Sequence, residues 1–202
     1  MRFRRAFMLL AAFFAVPGLA AAQEARQVEL GYEITFAGFS GFRLDITARF
    51  DSGRYDVESI TFKEGMLKAI TMNYIGRNRA WGGFGPQGAQ PAAGSLSVLV
   101  GDKTRTWLAQ YGPGGSLSET HTPEWKPAPR QVIPEGDRIG SLDPLTAGLS
   151  VGFAGDQACD RTVASNDGKR RVDIIIRKIG VEPAAKTGIP GAIGDVLVCD
   201  LY

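Results

Sequence analysis

The fold is decided by residues 28–50, VELGYEITFAGFSGFRLDITARF. Apolar side chains stand at every second position of residues 28–36 and again of residues 42–50. Because successive side chains of a strand point to opposite faces, this period predicts two strands with one buried and one solvated face. Such strands are typical of antiparallel sheets. The glycine-rich residues 37–41 are short enough to join them as a hairpin.

Further alternating segments follow along the chain. In the third strand, the apolar parity changes between Val57 and Ile60, which predicts a β-bulge. Residues 76–94 are rich in Gly, Pro and Ala and predict a long loop, and the prolines of residues 123–134 predict an extended connector. Strands are predicted over residues 55–62, 70–74, 96–100, 106–110, 117–122, 161–164, 170–179 and 196–201.

One short helix is predicted at residues 143–149. Asp143 suits the N-cap position, and Pro144 suits the first helical position. Farther along, Asp167-Gly168 predicts a hairpin turn before the longest strand. The pattern therefore predicts a mainly β protein, built on a single curved antiparallel sheet or half-barrel with one short helix.

The first 22 residues have the features of an export signal. Arg2, Arg4 and Arg5 are basic, residues 6–16 are apolar, and residues 20–22 offer an A-x-A cleavage site. We therefore expect residues 1–22 to be a signal peptide and residues 23–202 to be a single β-rich exported domain. The apolar run is too short to span a bilayer, so the protein is not expected to cross a membrane. The paired arginines leave both the general secretory and the twin-arginine route open.

The charge balance of the mature domain argues against two classes of partner. The chain has 23 Lys and Arg against 21 Asp and Glu, and three of the arginines belong to the signal, which leaves 20 against 21. A nearly neutral domain lacks the basic surface that binds nucleic acid or an anionic membrane. Neither is therefore expected as the main partner.

Cys159 and Cys199 are the only cysteines, and they are separated by 40 residues. An even number of cysteines in an exported chain predicts a disulfide. A metal site and a redox pair are the alternatives. The single His121 is distant in sequence and no C-x-x-C motif is present, so both alternatives have little support.

Residues with catalytic potential are few. His121 lies outside any nucleophile motif, so a surface histidine is expected there. The glycines of residues 82–85 lack the lysine and the helix of a phosphate-binding loop. The basic residues 169–171 alternate between the two faces of a strand. The sequence thus predicts no catalytic residue, no metal site and no cofactor, and it does not single out the paired carboxylates of a glycosidase.

Aromatic side chains recur at the inward positions of the predicted sheet. They are either ordinary core or, since little helix is available to cover the sheet, the lining of a lipid-sized cavity. On the second interpretation, residues 76–94 are a mobile flap. The candidate ligand-binding residues are then Tyr32, Phe36, Phe42, Phe50 and Trp81.

Several short motifs occur in an order that resembles a known family. YEITFAGF at residues 32–39, Asp-Pro-Leu at residues 143–145, Asp-Gly-Lys-Arg-Arg at residues 167–171 and the two cysteines together resemble the proteobacterial exported family called domain of unknown function 3108. The resemblance implies a periplasmic, largely antiparallel β protein without established catalytic residues. By analogy, its sheet is similar to the half-barrel of lipoprotein carriers. Because that family continues with further strand after its second cysteine, the last strand is expected to be shortened or incomplete here.

These observations favour three hypotheses, in the following order. The first is a non-enzymatic periplasmic cell-envelope protein that binds an apolar ligand, a lipid or lipoprotein chain, on the sheet. The second is a structural or interaction protein that docks a protein partner of the envelope. The third is a carboxylate-dependent hydrolase acting on cell-wall glycans.

Overall fold

A computed structural model of the protein describes residues 25–36, 39–70, 72–85, 88–124, 133–187 and 194–202. It is dominated by antiparallel strands, which confirms the predicted fold class. The expected signal peptide at residues 1–22 lies outside the described residues, and so does most of the connector at residues 123–134.

Seven strands form one open antiparallel sheet, in which each strand pairs with its neighbours in the chain. A chain that turns back after every strand needs only local pairing to build such a sheet. The strands are β1 Arg26–Phe36, β2 Phe39–Asp51, β3 Arg54–Lys63, β4 Tyr74–Gly85, β5 Gly88–Val100, β6 Lys103–Tyr111 and β7 Leu117–Thr122.

The helices are short, and one of them replaces a predicted strand. They are α1 Gly65–Ile70, α2 Glu135–Arg138, α3 Pro144–Gly152 and α4 Ala184–Thr187. The strand predicted at residues 70–74 is wrong, because α1 ends at Ile70 and β4 begins at Tyr74. Residues 66–69, Met-Leu-Lys-Ala, are strong helix formers, and this propensity outweighs the alternation that follows. In the part of the chain that the structure describes, no helix has the length and hydropathy needed to cross a membrane.

The register decides which side chains share a face of the large sheet. Val28 pairs with Ala48, Ala48 with Val57, and Val57 with Ala80. Because paired residues point to the same side of a sheet, these residues lie on one face, which we call the inner face. The opposite, outer face carries most of the charged residues of the same strands, such as Glu33, while Arg26 and Lys63 lie on the inner face.

Helix α3 packs on the inner face. Asp143 caps it as predicted, and its Oδ1 accepts hydrogen bonds from the backbone N–H groups of Leu145 and Thr146, both at 3.0 Å. Leu145 and Leu149 of the helix pack on a cluster that the sheet supplies, whose small residues leave room for the helix. The cluster consists of Ala48, Tyr55, Val57, Ala80 and Ala89.

A second, three-stranded sheet packs against the same helix. Its strands are β8 Arg161–Asn166, β9 Arg171–Pro183 and β10 Asp195–Leu201, in the order β10-β9-β8. Ala147 of α3 packs in its core with Cys159, Val163 and Ile176. The predicted disulfide between Cys159 and Cys199 is present and joins the segment before β8 to β10. The helix thus connects the two sheets through packing.

The loop predicted at residues 76–94 is wrong, because β4 and β5 occupy nearly all of it. Its glycines allow close approach within the sheet. A Cβ at Gly82 would lie 2.8 Å from Tyr55 Oη, and one at Gly94 would lie 3.2 Å from Asp143 Cβ. The segment expected to act as a flap is therefore a hairpin that is built into the sheet.

The β-bulge predicted in the third strand is also wrong. β3 keeps a continuous register with β2 and with β4. Ser59 takes the inward position and is 2% exposed, and its Oγ accepts a hydrogen bond of 3.3 Å from Asn78 Nδ2. Ile60 and Phe62 point to the outer face. The change of apolar parity thus reflects a polar pair on the inner face.

Candidate functional site

Helix α3 covers only part of the inner face. Beyond the core cluster beneath it, many inner-facing side chains are half-buried or exposed, although Ser59, Trp107 and Ala109 are buried. We call this region the open half of the inner face. It is defined by Tyr32 on β1, Phe42 and Leu44 on β2, Tyr74 on β4, Leu96, Val98 and Val100 on β5, and Lys103, Arg105 and Trp107 on β6.

A cavity of about 390 Å³ lies at the β5–β6 end of the open half. Leu96, Val98 and Val100 form its apolar floor, and Met72 and Trp107 flank them. The turn between β8 and β9 forms part of its wall. Its volume falls within the range of roughly 300–1,000 Å³ found for small-molecule sites.

Trp107 is held in place by a buried carboxylate. The indole Nε1 donates a hydrogen bond of 2.9 Å to Glu119 Oε1, which also accepts one of 3.1 Å from Asn166 Nδ2. Glu119 Oε2 forms an ion pair of 3.1 Å with Arg138. The side chain of Glu119 is 8% exposed, so these partners satisfy a charge that would otherwise be buried alone. The network connects β6 and β7 of the large sheet to β8 and α2.

The β8–β9 turn lies directly on Trp107. Gly168 has a φ of +84°, and a Cβ at this position would overlap the indole ring. Two side chains shape the turn around it: Asn166 Oδ1 accepts from the Gly168 N–H at 2.8 Å, and Asp167 Oδ1 accepts from the Lys169 and Arg170 N–H groups. A glycine at this position thus lets the turn approach the ring.

The rim of the cavity is charged. Lys103, Arg105 and Lys169 are cationic and exposed, and the carboxylates of Asp102 and Asp167 also line the cavity. His121 is paired with Trp107 across β6 and β7 and is half-buried. Burial lowers the pKa of His121 below its ordinary 6.5, so the imidazole is neutral at pH 7.

Two of the five predicted ligand-binding residues lie together in the open half. Tyr32 is 49% exposed on β1. Phe42 is its diagonal neighbour on β2 and contacts Tyr74 edge-on, with ring centroids 5.6 Å apart. Phe36 ends β1, and its side chain lies outside the described part of the chain.

The structure places the other two predicted residues elsewhere. Phe50 packs under the C-terminal end of α3, with its ring centroid 5.1 Å from that of Phe153 and 6.2 Å from that of Phe84. Trp81 lies on the outer face, 39% exposed, with the Arg79 guanidinium 5.5 Å from its ring centroid. Neither residue lines the cavity over β5 and β6.

The cavity depends on residues that the sequence did not single out. The alternation of Leu96, Val98 and Val100 signals an inward face, but not that this face is left open. Trp107 gives no local signal of its role, because its contact with Gly168 joins residues far apart in the chain. Among the described residues, no group of three or more His, Cys, Asp or Glu side chains is placed to hold a metal ion.

Asp143, which caps α3, is a buried acid that lies apart from the cavity. It is 3% exposed, and its Oδ2 has no hydrogen-bond partner among the described residues. Burial raises the pKa of Asp143, and it also raises the pKa values of Tyr55 and Tyr111 nearby. Tyr55 Oη is hydrogen-bonded to Thr146 Oγ1 at 2.9 Å. These groups form a polar centre that fixes the start of α3 on the sheet.

Replacing Asp143 by Asn and, separately, by Ala distinguishes the stability due to the N-cap hydrogen bonds from the effect of the carboxylate charge. Both variants remove the carboxylate, but Asn keeps an oxygen for the two backbone N–H groups. We expect Asp143→Ala to be less stable than Asp143→Asn by about 1 kcal/mol, the usual contribution of an N-cap. Urea unfolding of the two variants measures this difference, and equal stabilities would contradict the capping role.

The pH dependence of the Asn variant tests the buried charge. Because the pKa of Asp143 is raised in the folded state, this state binds the proton more tightly than the unfolded state does. The contribution of Asp143 to stability is therefore complete below about pH 4 and lost as the pH rises through the folded pKa. We expect the stability of Asp143→Asn relative to wild type, measured by urea unfolding, to increase as the pH rises above about 4. A constant difference would show that the carboxylate is not strained by burial.

Comparison of the chain with protein-family models, with curated proteins and with solved structures finds no match. The site is therefore interpreted from its own geometry. That geometry is an apolar cavity with a charged rim, on the open half of an antiparallel sheet.

Proposed function

We propose that this protein is a non-enzymatic periplasmic cell-envelope protein that binds an apolar chain, from a lipid or a lipoprotein, on the inner face of its large sheet. The observation that carries the proposal is the cavity of about 390 Å³ over β5 and β6. Its floor of Leu96, Val98 and Val100 takes no part in the core cluster beneath α3. Removing such apolar surface from water contributes about 25 cal/mol per Å² to binding.

The apolar surface extends beyond the cavity. Tyr74 and, beyond β3, the side chains of Phe42, Leu44 and Tyr32 add apolar surface across the open half, while β3 itself contributes Thr61 and Lys63 to this face. On β1, Val28 and Leu30 are 42% and 45% exposed. Exposed apolar patches on a single chain commonly mark binding sites. An extended chain that starts at the cavity has further apolar contacts available along the sheet.

A periplasmic location is consistent with the disulfide and the sequence. Disulfides persist in oxidising compartments such as the periplasm. The bond between Cys159 and Cys199 is therefore compatible with export. The expected signal peptide at residues 1–22 and the family resemblance support the same location.

The exposed edge of the large sheet favours a second candidate, an interaction protein of the envelope. β1 is an edge strand of 11 residues, and its outer side offers backbone N–H and C=O groups to an added strand. A photo-crosslinking residue at Gln27 should then capture a partner protein in living cells. The same residue at Arg77, in the middle of the outer face, is the control. Equal capture at both positions would contradict edge pairing.

Native mass spectrometry of the mature chain tests the first candidate directly. The protein is purified from the periplasm without detergent. We expect an additional mass that is lost on extraction with organic solvent, because the cavity floor is apolar. A clean apoprotein mass would contradict the carrier proposal and favour the interaction protein.

A charge placed in the cavity floor should abolish the bound mass. Val98→Glu introduces a carboxylate among Leu96 and Val100, where an apolar chain cannot solvate it. Ser97→Glu is the matched control, because Ser97 is the next residue of the same strand and points to the outer face. We expect loss of the bound mass in Val98→Glu and retention in Ser97→Glu. Retention in both would show that the ligand lies elsewhere.

A further inference from the structure

We propose that the cavity takes an anionic single-chain amphiphile, a long alkyl chain that ends in a carboxylate or phosphate. This inference rests on the proposed function and adds the chemical class of its ligand. The alkyl chain lies on Leu96, Val98 and Val100, and Lys103, Arg105 and Lys169 bind the anion.

The register of β5 and β6 sets an apolar row beside a cationic one. Val100 pairs with Lys103 and Val98 pairs with Arg105 on the inner face. Paired side chains of neighbouring strands have Cβ atoms about 4.5–5.5 Å apart. A chain lying along β5 therefore has two cations alongside it at the end nearest the β5–β6 turn. That end is exposed, so a charged head group remains partly hydrated there.

The third cation comes from the smaller sheet. Lys169 follows Gly168 in the β8–β9 turn, and the packing of Gly168 on Trp107 brings this turn to the cavity. Three cations from two separate sheets thus surround one apolar site. A long-chain anion needs this combination of an apolar floor and convergent positive charge.

These cations are not neutralised by ion pairs within the described residues. Arg43, Arg79, Arg138 and Arg171 each form an ion pair there, whereas Lys103, Arg105 and Lys169 form none. Of the two carboxylates that line the cavity, Asp167 uses its Oδ1 to accept two backbone hydrogen bonds of the turn. With a neutral His121, the three cations of the rim outnumber the carboxylates of Asp102 and Asp167 by one.

Four probes with the same sixteen-carbon chain test the assignment by isothermal titration calorimetry. They are hexadecanoate, hexadecyl phosphate, hexadecanol and hexadecyltrimethylammonium. We expect the two anions to bind on the order of tenfold more tightly than the alcohol, and the cation to bind most weakly. The affinities of hexadecanoate and hexadecyl phosphate relative to each other distinguish a carboxylate ligand from a phosphate ligand.

A triple variant, Lys103→Gln with Arg105→Gln and Lys169→Gln, should bind hexadecanol as wild type does and lose the preference for the anions. The matched control replaces three exposed cations elsewhere, Arg49, Arg54 and Arg77, by Gln and should keep that preference. The salt dependence of binding can be measured on the wild type, which does not depend on whether a variant folds. The affinity of the wild-type protein for hexadecanoate should fall with added salt, while its affinity for hexadecanol should not change.

The outcomes separate the two proposals. Equal, salt-independent binding of hexadecanoate and hexadecanol that Val98→Glu abolishes would overturn the anionic ligand and leave the apolar-chain function standing. Binding of no probe, or binding that Val98→Glu does not change, would overturn both. Anion binding lost in the control triple variant as well would place the anion outside this cavity and overturn the assignment.

Discussion

Replacing both cysteines, Cys159→Ser together with Cys199→Ser, should lower the free energy of unfolding by about 4 kcal/mol. The disulfide closes a loop of 40 residues, and opening the loop restores entropy to the unfolded chain. In a domain of this size the melting temperature should fall by roughly 8–16 °C. Urea unfolding and thermal melting of the mature protein measure the two quantities.

The location of the disulfide determines which part of the fold is destabilised when the bond is removed. The loop that the disulfide closes includes β8 and β9. Because Cys159 is 7% exposed and packs with Ala147 of α3, one end of this loop borders the helix. Reducing the wild type with dithiothreitol should reproduce the loss, and the double variant should not respond to the reductant. Unchanged melting of the variant would mean that packing of the small sheet alone holds β10 in place.

The parts of the fold that depend on local chemistry follow from the sequence. The alternation of residues 28–50 corresponds to β1 and β2, and Asp143 before Pro144 corresponds to the capped start of α3. Asp167-Gly168 corresponds to the β8–β9 turn. Each of these features is decided by interactions among residues close in the chain, so a single sequence is sufficient to predict it.

Features that depend on contacts between distant segments could not be predicted. The glycines of residues 76–94 suggest a loop, but their small size serves close packing with Tyr55 and Asp143. Because residues 76–85 belong to strand β4 and not to a loop, the alternation of β4 places Trp81 on the outer face. Trp81 therefore lies away from the other predicted ligand-binding residues, such as Phe42. The cavity has the same origin in part, because one of its walls is the β8–β9 turn, which meets Trp107 of a different sheet.

Gly168→Ala should lower the free energy of unfolding by about 3 kcal/mol. The φ of +84° places residue 168 in the left-handed region, where a side chain costs about 1–2 kcal/mol. The added methyl group also overlaps the indole ring of Trp107, and such overpacking costs about 1–3 kcal/mol. Either the ring or the turn must move, so the wall of the cavity is displaced. Urea unfolding and titration with hexadecanoate measure the two consequences.

Gly53→Ala is the matched control for this variant. Gly53 lies in the turn between β2 and β3 with a φ of +75°, and a Cβ there would have no atom within 4 Å. The backbone strain is therefore shared by the two variants, and only Gly168→Ala adds the contact with Trp107. We expect Gly53→Ala to lose about 1–2 kcal/mol and to bind hexadecanoate as wild type does. If both variants lose the same stability and bind alike, Trp107 does not support the turn. Lys169 would then have no fixed position beside the cavity, and the cationic rim would reduce to the two side chains of β6.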